Sequence, residues 1–373
     1  MFNASTWIAN YGTSYVAPSS NLGTLEICDP PANNWSWAFG ISANGSIVVG
    51  VSGCPEAWVV HNAFRWVGGS MQNLGTLGGE LSWAYDVSAD GAVVVGWADN
   101  NEGVMRAFRW EEACGRMQDL GTLGGRRSIA YAVSADGHWI SGCAETPDGE
   151  VHAVRWYADC SGVYLVQDLG TLGGNYSCAY GISENGTIVV GESKTAEGTI
   201  HAFRWTSTDG MQDLGILPGG SYSRAYDVSA DGFIVVGEAS NSDRRLHAFR
   251  WTPARGMEDL NQTYAHLLPG DPISHLAAGA AITPNGRYIV GWGFNLVLTR
   301  GAMREMGYTL DTVCPLEPFG DIDCDGCVSD ADLIAVLMAW GCCGRCGSAD
   351  INQDGCVDDA DLLIVLINLG RGC

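Results

Sequence analysis

The sequence predicts an all-β fold, a six-bladed β-propeller of four-stranded blades, followed by a small α-helical domain at the C-terminus. We expect the propeller over residues 1–308, a linker over 309–319 and the small domain over 320–373. Three observations support this: a unit of about 50 residues that recurs along the chain, a turn dipeptide in every copy, and an abrupt change of composition after Pro318. The abundance of Gly (51), Trp (14) and Tyr (13), with only 16% charged residues, also favours a turn-rich β protein.

Each unit begins with a Leu-Gly marker and closes with an Ala-Phe/Val-Arg-Trp strand. The marker recurs at Leu22, Leu74, Leu120, Leu169 and Leu214, with a degenerate copy at Leu260. Between these motifs lies a Ser-x-Ala-Tyr/Phe segment and then a turn dipeptide. The dipeptide appears as Asn44-Gly45, Asp90-Gly91, Asp136-Gly137, Asn185-Gly186, Asp231-Gly232 and Asn285-Gly286. Such dipeptides between β-branched runs indicate tight hairpins, which need positive φ angles.

One unit therefore supplies four short strands. In the second copy we expect a hairpin of Ala84–Ser88 and Ala92–Gly96, a third strand at Ala107–Trp110 and a fourth at Met117–Leu123. A β-solenoid is the alternative for a repeat of this length.

The sixth copy supplies two strands, Gly279–Thr283 and Arg287–Gly293, and then loses its signature. The N-terminal segments Ala4–Trp7 and Asn21–Leu25 resemble the missing strands, so the last blade is expected to combine both chain ends. Residues Ala302–Arg304 are the alternative third strand.

The closing strand resembles the HAF-type extracellular repeat family, which is named for its His-Ala-Phe tripeptide. His201-Ala202-Phe203 and His247-Ala248-Phe249 match fully, and His152-Ala153-Val154 nearly so. The resemblance spans residues 21–293 and implies an extracellular repeat protein without implying a reaction.

The residues common to all copies are interpreted as scaffold. We expect the recurring Arg of the closing strand to pair with the Asp or Asn before the next marker, as Arg109 with Asp119, because a partly buried charge needs a partner. Trp and Phe of the same strand are expected to pack between neighbouring blades.

Candidate ligand-binding residues lie where the copies differ, in the segments between a fourth strand and the next first strand. We interpret these segments as loops, and their aromatic and Arg side chains suit a glycan or a peptide. The candidates are Trp35, Trp37, Trp83, Arg126, Arg127, Tyr176, Tyr222 and Arg224. We find no catalytic motif and predict that the chain is not an enzyme.

The C-terminal segment contains two matched stretches of acidic residues. Each fits a 12-residue Ca²⁺ loop with oxygen ligands at positions 1, 3, 5, 9 and 12, a turn Gly at 6 and a backbone carbonyl at 7. The first site consists of Asp321, Asp323, Asp325, Cys327 (carbonyl), Ser329 and Asp332. The second consists of Asp350, Asn352, Asp354, Cys356 (carbonyl), Asp358 and Asp361.

Each Ca²⁺ loop leads into one apolar helical stretch, 333–340 or 362–369. Asp at position 12 and the single following helix resemble dockerin type I modules over residues 320–373. The resemblance implies two Ca²⁺ ions and a protein partner, a cohesin-like or other surface protein.

The 14 cysteines favour disulfides and an oxidising compartment. Plausible pairs are Cys114 with Cys160, Cys143 with Cys178, and Cys28 with Cys54. A zinc site remains the alternative for Cys324, Cys327, Cys343 and Cys346, whose spacing suits a zinc ribbon.

The formal net charge of −23 argues against nucleic acid and anionic membranes as partners, and no apolar run is long enough to span a bilayer. Residues 1–20 lack a signal-peptide pattern, so a leader would have been removed or the start misplaced.

We therefore expect a secreted or cell-surface binding or scaffold protein, with a glycan or matrix ligand on the propeller. The alternatives are a self-associating subunit of an extracellular polymer or surface layer, and a polysaccharide lyase or hydrolase.

Overall fold

The computed structural model describes residues 22–25, 35–54, 61–158, 164–265, 274–294 and 305–312. It also describes the isolated residues Leu268, Leu337 and Val357 and the pairs 362–363 and 365–366. The predicted Ca²⁺ loops, the strand Ala4–Trp7 and residues Ala302–Arg304 lie outside these residues. The chain divides into two compact units, residues 1–227 with 239–244, and residues 228–238 with 245–373. Among the described residues, no helix has the length and apolar character needed to cross a membrane.

The described strands fall into six repeats. Repeat 1 contains β1 (Trp35–Ile41), β2 (Ile47–Gly53), β3 (His61–Val67) and β4 (Ser70–Asn73). Repeat 2 contains β5 (Gly78–Val87), β6 (Val93–Asn100), β7 (Met105–Glu111) and β8 (Arg116–Asp119). Repeat 3 contains β9 (Ser128–Val133), β10 (Trp139–Glu145), β11 (Val151–Ala158) and β12 (Tyr164–Asp168).

Repeat 4 contains β13 (Gly173–Ile182), β14 (Ile188–Thr195), β15 (Ile200–Thr206) and β16 (Gly210–Asp213). Repeat 5 contains β17 (Ser223–Val228), β18 (Val235–Ser240), β19 (Leu246–Thr252), β20 (Gly256–Asp259) and the short helix α1 (Leu260–Thr263). Repeat 6 contains β21 (His275–Ile282), β22 (Tyr288–Phe294) and β23 (Glu305–Asp311).

Each repeat is a sheet whose strands neighbour one another in chain order. A parallel bridge between Val151 and Tyr176 joins the sheets of repeats 3 and 4 into one. The all-β prediction is confirmed, and so are the hairpin and the third strand of repeat 2. The fourth strand of repeat 2 ends at Asp119, so the Leu-Gly marker follows this strand and is not part of it. Strand β23 runs to Asp311, three residues into the segment expected to be a linker.

The hairpins close as the dipeptides predict. In repeat 2, the Ser88 hydroxyl donates to Asp90 Oδ1 at 2.6 Å and accepts from the Val93 N–H at 3.0 Å. Gly91 takes a φ of +80°, which only glycine adopts without strain. Backbone bonds also link successive hairpins, because Ala43 N–H donates to Ala89 and Ala89 N–H donates to Ala135.

A serine in the first strand of repeats 2, 4 and 5 connects each of these repeats to the one before it. The Ser82 hydroxyl accepts from the Ala63 N–H at 2.9 Å and donates to the Gly75 carbonyl at 2.6 Å. Ser177 and Ser223 make the same pair of contacts with the repeat before them. These bonds satisfy buried polar groups where two sheets meet.

The apolar core lies between the sheets. One cluster joins Ala63 and Leu74 of repeat 1 to Phe108 and Trp110 of repeat 2, and all four are buried. Similar clusters lie between repeats 2 and 3 and between repeats 3 and 4. The predicted packing of Trp and Phe between neighbouring blades is confirmed.

The expected Arg–Asp pairs are wrong. The buried Arg65 guanidinium donates to the Gly91 carbonyl at 3.2 Å and to Glu112 at 3.1 Å, both in the next repeat. Arg155 likewise donates to the Gly186 carbonyl at 2.7 Å. Arg65 and Arg155 therefore reach forward to the following hairpin, whereas Arg109 and Arg250 pair with Glu111 and Glu258 of their own repeats.

The carboxylate before the marker binds the first residue of the His-Ala-Phe tripeptide instead. His201 Nδ1 lies 2.8 Å from Asp213 Oδ2, while Asp213 Oδ1 accepts from the Gly215 N–H at 2.7 Å. Arg106 replaces the histidine in repeat 2 and lies 3.1 Å from Asp119. The tripeptide histidine thus fixes the marker turn, which gives it a structural role.

Candidate functional site

The first strand of a repeat carries a β-bulge at its aromatic residue. In β5 the pairing with β6 shifts between Ala84 and Asp86, which leaves Tyr85 outside the register. Phe39 and Tyr180 are skipped in the same way in β1 and β13. A bulge re-aims a side chain relative to its strand, so these aromatic rings leave the regular alternation of the sheet.

The rings at this position contact one another from repeat to repeat. Their centroids are 5.6 Å apart for Phe39 and Tyr85, 5.1 Å for Tyr85 and Tyr131, 5.0 Å for Tyr131 and Tyr180, and 6.1 Å for Tyr180 and Tyr226. We call these five residues the aromatic ladder. Burial raises the pKa of Tyr85 and of Tyr131, so both phenols stay protonated and can donate as well as accept.

A tryptophan cluster, formed by Trp35, Trp37, Trp83, Trp97 and His61, adjoins the ladder. Trp37 lies 5.0 Å from Trp35 and 5.9 Å from Trp83, and Trp83 stacks on Trp97 at 6.2 Å. The Trp97 indole N–H donates to the Tyr85 hydroxyl at 3.3 Å, which ties the cluster to the ladder. Burial lowers the pKa of His61, so the cluster carries no charge of its own near neutral pH.

Part of this aromatic surface faces solvent. Trp37 is 44% exposed, and the ladder residue Phe39 is 45% exposed. Phe39 also stacks on Trp83 at 5.7 Å, so Trp83 contacts both exposed rings. Large exposed aromatic side chains that are held in place by further rings are typical of binding surfaces.

A buried ion pair lies at the other end of the ladder. Glu192 is 2% exposed and accepts from Arg224 Nε at 2.7 Å and from Arg224 Nη2 at 3.2 Å. The hydroxyls of Tyr176 and Tyr180 donate to Glu192 Oε1 at 2.9 and 2.8 Å. Every one of these bonds is charge-assisted, which makes the arrangement rigid.

Aromatic rings surround the guanidinium of Arg224. Its Cζ lies 5.3 Å from the Tyr180 ring, 5.6 Å from Tyr222 and 5.8 Å from Tyr226. Burial lowers the pKa of Arg224, but the hydrogen bonds and charge of Glu192 outweigh this, so the net pKa is raised. The guanidinium is therefore a permanent cation that belongs to the scaffold of the ladder.

Six of the eight predicted ligand-binding residues belong to these groups. Trp35, Trp37 and Trp83 lie in the tryptophan cluster. Tyr176 and Arg224 contact Glu192, and Tyr222 contacts the Arg224 guanidinium. Arg126 and Arg127 lie apart with exposed side chains. Their backbone N–H groups each donate to the Glu145 carboxylate at 3.0 Å, and the Arg127 carbonyl accepts from the Glu145 N–H at 2.8 Å.

The expectation that the candidates occupy loops is wrong for most of them. Trp35, Trp37, Trp83, Tyr176 and Arg224 lie inside first strands. Strands β5 and β13 begin at the Gly-Gly pairs that follow the marker, Gly78-Gly79 and Gly173-Gly174. The strands start earlier because Gly78, at a φ of +108°, already pairs with Asn100 of β6.

Sequence reasoning missed Glu192 and the ladder itself. Glu192 follows the Gly of a β-branched run. The equivalent positions hold Val51, Trp97 and Cys143 in repeats 1 to 3 and Glu238 in repeat 5, and both glutamates are buried. A carboxylate at a position that is apolar in the first three repeats was the available signal. The ladder residues belong to the Ser-x-Ala-Tyr/Phe segment that recurs along the chain, and recurring residues are interpreted as scaffold.

One predicted disulfide is confirmed, and one is wrong. Cys143 of repeat 3 is bonded to Cys178 of repeat 4, with the two Cα atoms 4.9 Å apart. Cys114 is a free, exposed thiol, so its pairing with Cys160 fails. Cys54 is disulfide-bonded, while its expected partner Cys28 lies outside the described residues.

The predicted Ca²⁺ ligands of both loops lie outside the part of the chain that the structure describes. Within that part, no group of three or more His, Cys, Asp or Glu side chains could hold a metal ion. The two Ca²⁺ sites and the zinc alternative therefore stay predictions.

No family model matches the chain, and no curated protein matches it. Among solved structures it is similar to TolB from Acinetobacter baumannii, at 13% identity over 61% of this chain and 54% of that chain, with a TM-score of 0.44. A putative TolB from Agrobacterium tumefaciens is 14% identical over 76% of this chain and 91% of that chain, with a TM-score of 0.46. The β-propeller domain of the Trilobed protease from Pyrococcus furiosus is 10% identical over 74% of this chain and 86% of that chain, with a TM-score of 0.44. At these identities and TM-scores the likenesses assign neither family nor partner.

Peptidases also occur among the similar structures. They include a prolyl endopeptidase that is 12% identical over 72% of this chain and 40% of that chain, with a TM-score of 0.45. The prediction that the chain is not an enzyme is contradicted by these neighbours. That prediction followed from a repeat scaffold without a catalytic motif, and a scaffold of similar fold occurs in peptidases. At this level of identity, and with about half of those chains covered, the likeness assigns no reaction here.

Proposed function

We propose that this chain is a secreted or cell-surface binding protein that holds an extracellular ligand on the aromatic ladder and the tryptophan cluster. The main support for this proposal is a continuous series of ring contacts that runs from Trp35 to Tyr226. At the end of this series near Trp35, the rings of Trp37 and Phe39 are exposed to solvent. Exposing two large aromatic side chains costs solubility, so their retention side by side favours a binding role.

The ion pair supports this proposal through rigidity. A buried Arg–Glu pair rarely adds stability over apolar side chains of the same volume, because both charges lose hydration. Here Glu192 fixes Tyr176 and Tyr180, while Arg224 contacts the Tyr180 ring and two further rings, those of Tyr222 and Tyr226. The pair therefore pre-organises the tyrosines, and pre-organisation reduces the entropy lost when a ligand binds.

Six blades remain the proposed architecture. Leu22–Leu25 supports this count because its residues contact repeat 1 as a marker should: the Ser36 hydroxyl donates to the Gly23 carbonyl at 2.8 Å, and Leu22 and Leu25 are buried beside Phe64. The equivalent bond in repeat 2 runs from Ser82 to Gly75.

The C-terminal module is proposed to attach the protein to a partner. Its support is the duplicated 12-residue pattern and its resemblance to dockerin type I modules, which implies two Ca²⁺ ions and a cohesin-like or other surface protein. Disulfides between successive repeats, such as Cys143–Cys178, agree with an extracytoplasmic location.

Capture on the immobilised chain tests the proposed function. Polysaccharides and matrix proteins are passed over the wild type, the Trp37→Ala/Phe39→Ala double variant and the Ile41→Ala control. Ile41 is 43% exposed on the same strand, so it matches the tested residues in exposure without being aromatic. We expect retention by the wild type and by Ile41→Ala, and loss in the double variant. Retention of every ligand by the double variant would refute the site. Concentration-dependent self-association without any ligand would favour the polymer alternative.

A further inference from the structure

We infer that the ligand is a neutral polysaccharide whose sugar rings stack on Trp37 and Phe39 and whose hydroxyls bond to the ladder tyrosines. This inference rests on the proposed function and names the class of ligand. It follows from the spacing of the rings, from their support and from the charges beside them.

The spacing excludes a ligand that inserts between rings. Neighbouring centroids in the ladder and the tryptophan cluster are between 5.0 and 6.3 Å apart. Aromatic pairs in direct contact have centroids within this range. A cation cage needs rings that surround an open space, and proline-rich segments need aromatic-lined grooves. Rings that already touch one another instead offer their exposed faces, which suits a flat ligand lying across them.

The exposed rings are fixed before any ligand arrives. Trp83 contacts Trp37 edge-on at an interplanar angle of 77° and stacks on Phe39 at 19°. Trp83 is itself held by Trp97, whose N–H binds Tyr85. The negative faces of such rings attract the polarised C–H bonds on one side of a pyranose. Because little side-chain freedom is lost, each stacked sugar contributes more of its contact energy to affinity.

The charges favour a neutral ligand. Arg224 is neutralised by Glu192, so the cation at the end of the ladder offers no excess positive charge. Asp99 follows Trp97 by two residues in β6, and burial together with the charge of Glu80 raises its pKa, which indicates a locally negative field. The chain as a whole carries −23. Uronate or sulfate groups would therefore be repelled, whereas uncharged hydroxyls are not.

The ladder supplies partners for those hydroxyls. The Tyr85 hydroxyl accepts from the Trp97 N–H at 3.3 Å, so its own O–H can still donate to a sugar oxygen. The Tyr180 O–H is already donated to Glu192, so the Tyr180 oxygen can act only as an acceptor for a sugar hydroxyl. Together with the stacking faces, this combination of apolar rings and neutral polar groups is what an uncharged sugar chain requires.

Calorimetric titration of the full chain tests the ligand class. Neutral cello-, malto-, laminari- and chito-oligosaccharides are titrated, with oligogalacturonate as the anionic comparator and decaproline as the peptide comparator. We expect at least one neutral series to bind, and Trp37→Ala and Phe39→Ala each to weaken binding about tenfold, as loss of one stacked ring predicts. Ile41→Ala should bind like the wild type, and oligogalacturonate should not bind. Thermal melting of each variant establishes that it is folded.

Absence of binding by every neutral series, or binding that survives both aromatic substitutions, overturns the inference. If decaproline or a matrix protein binds through Trp37 while no sugar does, the ligand class fails and the proposed function stands. If nothing binds through Trp37, both fail. Chromatography of the incubated sugars separates binding from turnover, because shortened products would indicate a hydrolase.

Discussion

Arg224 reaches from β17 to Glu192 in β14 and meets its carboxylate with two nitrogens, Nε at 2.7 Å and Nη2 at 3.2 Å. The two partners differ in exposure, since the Arg224 side chain is 30% exposed and that of Glu192 only 2%. Water can therefore solvate an arginine that has lost its partner, but not the glutamate.

This asymmetry predicts unequal costs of substitution. Arg224→Met leaves a buried carboxylate without its cation and should lower the free energy of unfolding by about 3–5 kcal/mol. Glu192→Gln keeps an oxygen for the two tyrosine hydroxyls and should cost about 1–3 kcal/mol. Urea unfolding followed by tryptophan fluorescence measures both. Equal costs, or a loss below 1 kcal/mol for Arg224→Met, would refute the buried pair.

The Cys143–Cys178 disulfide should stabilise repeats 3 and 4. It closes a loop with a sequence separation of 35, for which chain entropy predicts a contribution of roughly 4 kcal/mol. The double Cys143→Ala/Cys178→Ala variant should have a free energy of unfolding that is lower by this amount. It should therefore unfold at a lower urea concentration. The free thiol provides the control, because Cys114→Ser removes a cysteine without removing a bridge and should leave the midpoint unchanged.

Asp86 predicts a pH dependence of stability. Its carboxylate accepts from the Val87 N–H at 2.8 Å and from the Val133 N–H of the next repeat at 2.9 Å, and burial raises its pKa from 3.8 to about 6. Between these values the folded state binds more protons than the unfolded chain, so stability declines as pH rises from 4 to 6. This decline amounts to at most about 3 kcal/mol in the free energy of unfolding, and the Asp86→Asn variant should lack it. Unfolding curves of both proteins at pH 4 and pH 7 measure the difference.

Asp90→Asn is the matched control for that experiment. Its hydrogen bonds with the Ser88 hydroxyl and with the Ala92 N–H lower the pKa of Asp90, so its contribution is present above the unfolded pKa and is lost as pH falls. The Asp90→Asn variant should therefore change the pH dependence of stability in the direction opposite to that of Asp86→Asn. Asn occupies the same turn position at Asn44, which indicates that the substituted hairpin still folds.

The histidine of the His-Ala-Phe tripeptide should be replaceable by arginine. His201→Arg can preserve the contact with Asp213, as Arg106 does with Asp119, and should match the wild type in thermal unfolding. His201→Leu loses the hydrogen bond and should cost about 1 kcal/mol. Equal losses in both variants would show that ring packing, and not the carboxylate contact, explains the histidine.

Calcium removal tests the C-terminal module. We expect two Ca²⁺ ions per chain by calorimetry, and one in either Asp332→Ala or Asp361→Ala, because each removes the ligand at position 12. Asp330→Ala, at position 10, provides the control and should still bind two. Zinc-dependent but Ca²⁺-independent folding would instead support the zinc alternative.

The sequence predicted the strands because turn dipeptides and β-branched runs report local geometry. It also predicted Cys143–Cys178, which joins β10 of repeat 3 to β13 of repeat 4. The Arg–Asp pairing failed for a long-range reason: Arg65 binds Gly91, and no local pattern shows which repeat a long side chain will reach.

The ladder was not predicted for a different reason. Tyr85 and Tyr131 repeat in register, and a repeated residue resembles scaffold, yet their contact depends on a bulge that turns each ring toward the next repeat. Bulges have no clear sequence signature, so the sequence identified Trp83 and Arg224 as variable residues but not the ladder that lies between them.

The serine contact of repeats 2, 4 and 5 bears on how such a chain can arise. Ser82 uses one hydroxyl both to accept from Ala63 and to donate to Gly75 of the repeat before it, and later serines do the same. Each such repeat thus contains the serine hydroxyl that binds the repeat before it, together with the backbone amide and carbonyl that bind the serine of the repeat after it. Tandem duplication can lengthen the array without inventing a new junction, while Trp37, Trp83 and Arg224 diverge freely on the inherited framework.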